Sequence, residues 1–251
     1  MIPFPLRFEP ILKERPWGRE TWWISDRPGD ETRVAEGPLK GKTLRELDPF
    51  DLLGRATKPF PLLVKTLETR DWLSIQAHPA EGPEKKTEAW YVLEAAPAAE
   101  ILLGTDGPLD PARLPAGMRR HALRKGDAVL VPAGVPHAIG PGLVLAEIQQ
   151  NSDTTWRLHD WGRTGRTLHV PEAMAAANRA PSPPPPRPLA EREIACEAFH
   201  LALRPLPWTS KGDGRCRLTA PAEGGPWVLL PACLGDLPCA GQGALLEAWP
   251  C

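Results

Sequence analysis

Gly126-Asp127-Ala128-Val129-Leu130-Val131-Pro132-Ala133-Gly134-Val135-Pro136-His137 reads as a turn, a short strand, a tight turn and a histidine entering the next strand. The spacing is G-x5-P-x-G-x2-H. Residues 128–131 are apolar and β-prone, and Pro132 and Gly134 end them. The apolar character continues to Ile148, but Pro132, Pro136, His137 and Pro141 interrupt it. That excludes the run of about 20 apolar residues that a membrane helix requires. Buried strands are expected instead. The whole chain has the same habit, because 32 prolines and 22 glycines in 251 residues oppose long helices and favour short strands joined by turns.

Strands are predicted at 61–67, 72–78, 88–93, 100–103, 128–131, 143–149 and 154–158, and in the tail at 199–203, 227–230 and 244–247. Thr43-Leu44-Arg45-Glu46 has capping-box form and predicts a helix over 44–53, shortened by Pro49. Pro171 suits a first helical position ahead of 172–179. Many short strands with few helices mean a mainly all-β sandwich, jelly roll or barrel. The run Ala-Pro-Ser-Pro-Pro-Pro-Pro-Arg-Pro over 180–188 favours polyproline II, a stiff spacer. It divides the chain into an N-terminal domain (1–180), a Pro-rich linker (181–188) and a small C-terminal β-region (189–251).

Lys plus Arg number 30 against 31 Asp plus Glu, so no global basic field exists to bind nucleic acid. The opening Met-Ile-Pro-Phe-Pro-Leu-Arg-Phe-Glu-Pro lacks the basic and apolar regions of a secretory signal. Cys196, Cys216, Cys233, Cys239 and Cys251 are odd in number and form no C-x-x-C pair, which fits free thiols in a reducing cytoplasm. A cytoplasmic protein, monomer or homodimer, is expected. Gly41-Lys42-Thr43 is not a phosphate-binding loop, because position 36, where that motif needs glycine, is Glu.

Three pieces carry chemistry. In Leu73-Ser74-Ile75-Gln76-Ala77-His78, alternation sends Leu73, Ile75 and Ala77 to one face and Ser74, Gln76 and His78 to the other. That second face has no Lys, Glu or Arg, as a cavity lining would not, although an ordinary amphipathic strand also fits. Lys86 and Glu88 share a face if the backbone is extended there, and alone they fit a solvated ion pair. His137 is the third piece. Together Gln76, His78, Glu88 and His137 offer two imidazoles, a carboxylate and an amide oxygen. That set suits catalytic zinc and equally non-haem iron(II). A small barrel can gather such side chains from separate strands.

The G-x5-P-x-G-x2-H block resembles the second motif of the cupin superfamily, whose histidine is a metal ligand on a jelly-roll barrel. The family's asparagine four positions after the histidine is Pro141 here. The blocks LLVKTLETRDWLSIQAHP, KTEAWYVLEA, KGDAVLVPAGVPHAI and QQNSDTTWRLHDWGR look, in this order, like the type I mannose-6-phosphate isomerases, in their short bacterial form. ERPWGRETW and EGPLKGKTLREL resemble that family's opening, and the match covers about residues 8–172. The tail resembles its small C-terminal β-region more weakly. The resemblance implies an aldose–ketose isomerase that interconverts mannose 6-phosphate and fructose 6-phosphate with one zinc per chain. By position it implies Gln76, His78, Glu88 and His137 as metal ligands, Gln76 being replaced by Lys in some short bacterial members. Lys65, Ser74, Lys86 and Arg157 match positions implicated in substrate binding or proton transfer, and Trp17 matches one near the site. Arg19, where a glycine is common, and the compressed Pro-rich tail depart from the family.

These residue types suit the reaction. A proton moves between C1 and C2 through a cis-enediol while charge builds on the neighbouring oxygens, which a divalent cation stabilises. Lys86 is the first candidate for the base, since a partly desolvated lysine beside a metal ion has its neutral form favoured. Water activated by the metal and the free oxygen of Glu88 are its rivals. Arg157 offers a planar fork to a phosphate, Lys65 a point charge, and Ser74 a hydroxyl donor. Ion pairing of Arg157 with Asp153 or Asp160, and simple snorkelling of Lys65, are the structural alternatives. A non-catalytic sugar-phosphate-binding cupin and an iron(II) cupin oxygenase are the competing functions.

Overall fold

Short apolar runs punctuated by Gly and Pro fold here as antiparallel strands. The computed structural model describes residues 5–47, 59–191, 193–230 and 236–251. They group into two units, one of Glu14–Glu20 and Leu67–Pro188, the other of Met1–Lys13, Thr21–Thr66 and Leu189–Cys251.

The first unit is a two-sheet jelly-roll barrel. Its strands are β1 (Ile75–Ala77), β2 (Glu88–Ala95), β3 (Glu100–Thr105), β4 (Met118–Ala122), β5 (Asp127–Val131), β6 (His137–Ile139), β7 (Leu143–Gln150), β8 (Trp156–His159) and β9 (Arg187–Pro188). One sheet has the order β4-β3-β6-β1-β8, and the other contains β9-β5-β2-β7. The pairings are antiparallel. An apolar cluster drawn from both sheets, with Trp90, Val92, Ile101, Val129 and Leu145, forms the core. Each such side chain contributes about 1.5–3 kcal/mol by leaving water.

A second cluster sets the orientation of β1. Ile75 and Ala77 pack with Ala138, Leu158 and Ala173 of the helix α1 (Val170–Ala177). Alternation therefore turns Gln76 to the opposite face. The expected strand from residue 72 begins only at Ile75. The Asp71 carboxylate accepts the Trp72 N–H at 2.7 Å and bends the chain there. Leu73, expected beside Ile75 and Ala77, consequently joins the cluster of Trp90.

The turn after β5 closes with the Val135 N–H on Pro132 O at 3.1 Å. Gly134 has φ +84°, and a Cβ on it would lie 2.7 Å from Ala176 O of α1. Only glycine meets both demands. The end of the Pro-rich run is not free spacer, since Arg187–Pro188 pairs with the edge of β5.

In the second unit, strands Ile194–Ala195, Phe199–Pro205, Ala244–Pro250, Arg217–Pro221, Val228–Leu230, Leu6–Glu9 and Arg33–Val34 form one sheet in that order. Leu6 pairs with Leu229, and Phe8 with Val34. The contact grouping differs from the expected cut of 1–180 from 189–251: among the described residues, 5–13, 21–47 and 59–66 group with the tail. The reason is that a strand with Leu6 and Phe8 buried needs a sheet edge, and the tail strands provide it. The capping box is realised, with the Thr43 N–H on Glu46 Oε2 at 2.8 Å. It opens the turn Leu44–Leu47, while the predicted helical residues 48–53 lie outside the described residues. Cys233 also lies outside them. Among the described residues no helix is long and apolar enough to cross a membrane.

Candidate metal centre

Register brings the site together. Gln76, at the middle of β1, lies opposite His137 on one side and Arg157 on the other. Directly opposed residues share a sheet face, so Arg157, Gln76 and His137 form one row across three strands. His78 follows two residues after Gln76, just beyond the end of β1. Glu88 opens β2 in the facing sheet, opposite Gln149 and Val131.

The three charged or chelating groups converge. His78 Nε2 lies 3.2 Å from Glu88 Oε2, and His137 Nε2 lies 3.4 Å from Glu88 Oε1. All three residues are at most 1% exposed. Their ligand atoms lie within 4.8 Å of one another and could hold a metal ion. The imidazoles are aimed by the main chain: His78 Nδ1 donates to Thr154 O at 2.9 Å and His137 Nδ1 to Val135 O at 2.8 Å. A carbonyl only accepts, so Nδ1 carries the hydrogen and Nε2 presents its lone pair.

Electrostatics reinforce this arrangement. Burial pushes His137 down to about 4, with the Lys86 charge acting the same way and Glu88 pulling against it. Burial and Lys86 likewise lower His78. Burial alone would raise Glu88, but the Lys86 charge holds it well below the ordinary carboxylate range. Two neutral imidazoles and a carboxylate are thus presented as acceptors facing one another. Acceptors at these distances repel unless a cation lies among them, so the donor set fits a divalent metal. Lys86 meets part of that demand. Its Nζ is 2.8 Å from Glu88 Oε2 and 3.2 Å from His78 Nε2.

The remaining expected residues are placed as follows. Ser74 is buried and its hydroxyl donates to Gln76 Oε1 at 3.0 Å. The Gln76 amide nitrogen, rather than its oxygen, faces His137 Nε2 at 3.3 Å. Turning the amide over presents the oxygen to the cluster, with the Ser74 hydroxyl then accepting. The Arg157 guanidinium makes no ion pair among the described residues, and its Nε is buried without a hydrogen-bond partner. Asp160 is already held by Arg163 at 3.0 Å and by Arg166. Burial and the Arg166 charge lower the Arg157 pKa. Trp17 is packed in the apolar cluster with Trp90. Lys65 belongs to the second unit, where it is buried with its Nζ 5.8 Å from the ring centroid of Trp22.

Sequence reasoning passed over Glu147. It is buried on β7, and its Oε1 lies 3.8 Å from Lys86 Nζ. An acid inside the apolar run Leu-Val-Leu-Ala-Glu-Ile was the signal.

Comparison with known proteins places the chain among isomerases of sugar phosphates by sequence and fold. The model of the type I phosphomannose isomerase catalytic domain matches residues 6–99. The probable mannose-6-phosphate isomerase GmuF of Bacillus subtilis is 36% identical over 68% of this chain and 67% of its own length. The mannose-6-phosphate isomerase of Streptococcus mutans is 38% identical over 62% of this chain, and the match spans 56% of that protein's length. The crystal structure of the mannose 6-phosphate isomerase from Bacillus subtilis superposes with a TM-score of 0.80 at 26% identity, covering 97% of this chain and 99% of that one.

Proposed function

The chain belongs to the type I mannose-6-phosphate isomerase family, and on that premise we propose that it interconverts mannose 6-phosphate and fructose 6-phosphate through a cis-enediol, using one zinc ion held by His78, Glu88 and His137 with Gln76 as a further ligand. The observation that carries the reading is the convergence of two Nε2 lone pairs and a carboxylate, each imidazole aimed by a carbonyl on its far nitrogen. Bound there, the ion supplies positive charge to the oxygens at C1 and C2.

The chain's own side chains do the rest. Lys86 takes the proton from one carbon and returns it to its neighbour. Glu88 and Glu147, 2.8 and 3.8 Å from its Nζ, hold that nitrogen in place. Arg157, in row with Gln76 and without an ion pair among the described residues, offers its fork to the phosphate. The Ser74 hydroxyl, on the same face, donates to a phosphate oxygen. A coupled assay following mannose 6-phosphate should show turnover lost on chelation and restored by zinc. Undiminished turnover in protein verified to be metal-free would refute the metal reading, and no turnover in zinc-loaded protein would refute the isomerase.

A further inference from the structure

The carbonyl that aims His78 sits in a loop with an anchor of its own. Thr154 lies between β7 and β8, in residues 151–155, where no strand ladder fixes the backbone. Glu84 fixes it instead. Its Oε2 accepts the Ser152 hydroxyl at 2.8 Å and the Thr154 hydroxyl at 3.0 Å. Ser152 Oγ in turn accepts the Thr154 N–H at 3.2 Å. The Gln149 side-chain amide donates to Ser152 O, and Ser152 is only 1% exposed. Glu84 stands on the turn that leads into Lys86 and Glu88, where the Lys86 N–H donates to Pro79 O at 3.1 Å. One carboxylate oxygen thus ties the segment bearing Lys86 and Glu88 to the loop whose carbonyl orients His78.

We propose that Glu84 is a positioning residue for the metal centre, clamping Ser152 and Thr154 so that Thr154 O holds the His78 ring with its Nε2 lone pair aimed at the ion. The proposal rests on the metal reading above. Ring direction is set by the hydrogen bond on the far nitrogen, so an acceptor that can swing leaves the imidazole free to rotate away. Removing the clamp frees two hydroxyls to water and releases that acceptor.

The test is zinc affinity, read on metal-free protein by competition with a chromophoric chelator. Loss of an outer partner costs about 10–100-fold in metal affinity, and Glu84 acts one bond further out, so Glu84→Ala should weaken zinc binding roughly ten-fold. Glu84→Gln, whose amide oxygen still accepts both hydroxyls, should stay within about three-fold of the parent. The pair Ser152→Ala with Thr154→Val should reproduce the loss, and adding Glu84→Ala to it should change little, because the same bonds are already broken. That pair decides the matter if Glu84→Ala does not fold. A role confined to holding the fold would lower Tm and leave zinc affinity alone. Affinity within two-fold of the parent in a folded Glu84→Ala or in the hydroxyl pair overturns the proposal. A parent protein that binds no zinc overturns the metal reading instead.

Discussion

Lys86→Met separates the two ways in which the buried cluster can be neutralised. The Lys86 ammonium lies 2.8 Å from Glu88, 3.2 Å from His78 Nε2 and 3.8 Å from Glu147, and is itself only 3% exposed. Met keeps much of the volume and removes the charge. In metal-free protein this leaves a buried carboxylate facing two imidazole lone pairs. Removing one partner of a buried pair costs about 3–5 kcal/mol. In a chain of this length each kcal/mol moves Tm by roughly 2–4 °C, so the metal-free variant should melt roughly 6–20 °C below the parent. Zinc restores positive charge to the same donors, so the gap between the loaded proteins should shrink to a few degrees. Scanning calorimetry of both proteins, stripped and zinc-loaded, reads this directly. The zinc-loaded variant should also retain about 1% of turnover or less, the usual share of a proton-transfer group. Metal-free variant and parent melting together, or gaining equally from zinc, would show that Lys86 and the ion do not answer the same charge demand.

Other consequences follow from single side chains. Arg157→Ala should raise KM for mannose 6-phosphate roughly 10–100-fold, the worth of a charge-assisted hydrogen bond, and barely move Tm, because Arg157 holds no ion pair among the described residues; an unchanged KM removes it from phosphate binding. At Asp160, burial works to raise the carboxyl, but Arg166 and Arg163 hold it below its ordinary value. Its folded pKa is depressed, so its stabilisation is full above the unfolded carboxyl value and disappears as pH falls through the folded one. Asp160→Asn should therefore cost about 1.5–3 kcal/mol at pH 7 and nothing in strong acid, as denaturant titrations across pH would reveal. Gly134→Ala should cost more than Gly126→Ala in thermal melts. Both have positive φ, but a Cβ at 134 meets Ala176 O at 2.7 Å while one at 126 meets nothing within 4 Å. Equal losses would mean that α1 yields freely to the added methyl.

Local patterning was enough to read much of this protein. The runs around Val129, Trp90 and Leu145 are strands because their composition and punctuation are local properties. The capping box at Thr43 and the proline opening α1 are local in the same way. His78, Glu88 and His137 became a candidate set through the G-x5-P-x-G-x2-H spacing before His137 and the family resemblance of the surrounding blocks, since Glu88 beside Lys86 alone fits a solvated ion pair. Glu147 was passed over because an acid in a strand announces nothing until its neighbour at the entry to the adjoining strand, Lys86, is known.

What tertiary structure alone decided is non-local. Sequence order cannot disclose that Gln76 stands opposite both His137 and Arg157, because register is a property of pairs of strands. Nor can it disclose that Leu6–Glu9 completes a sheet made by the tail, since any edge with free N–H and C=O groups would serve a short amphipathic strand. The tautomers of His78 and His137 depend on Thr154 and Val135 through backbone carbonyls, which every residue type possesses and no side-chain pattern marks. The residues with the chemistry were written in the chain, while their aim came from main-chain atoms that only folding brings within reach.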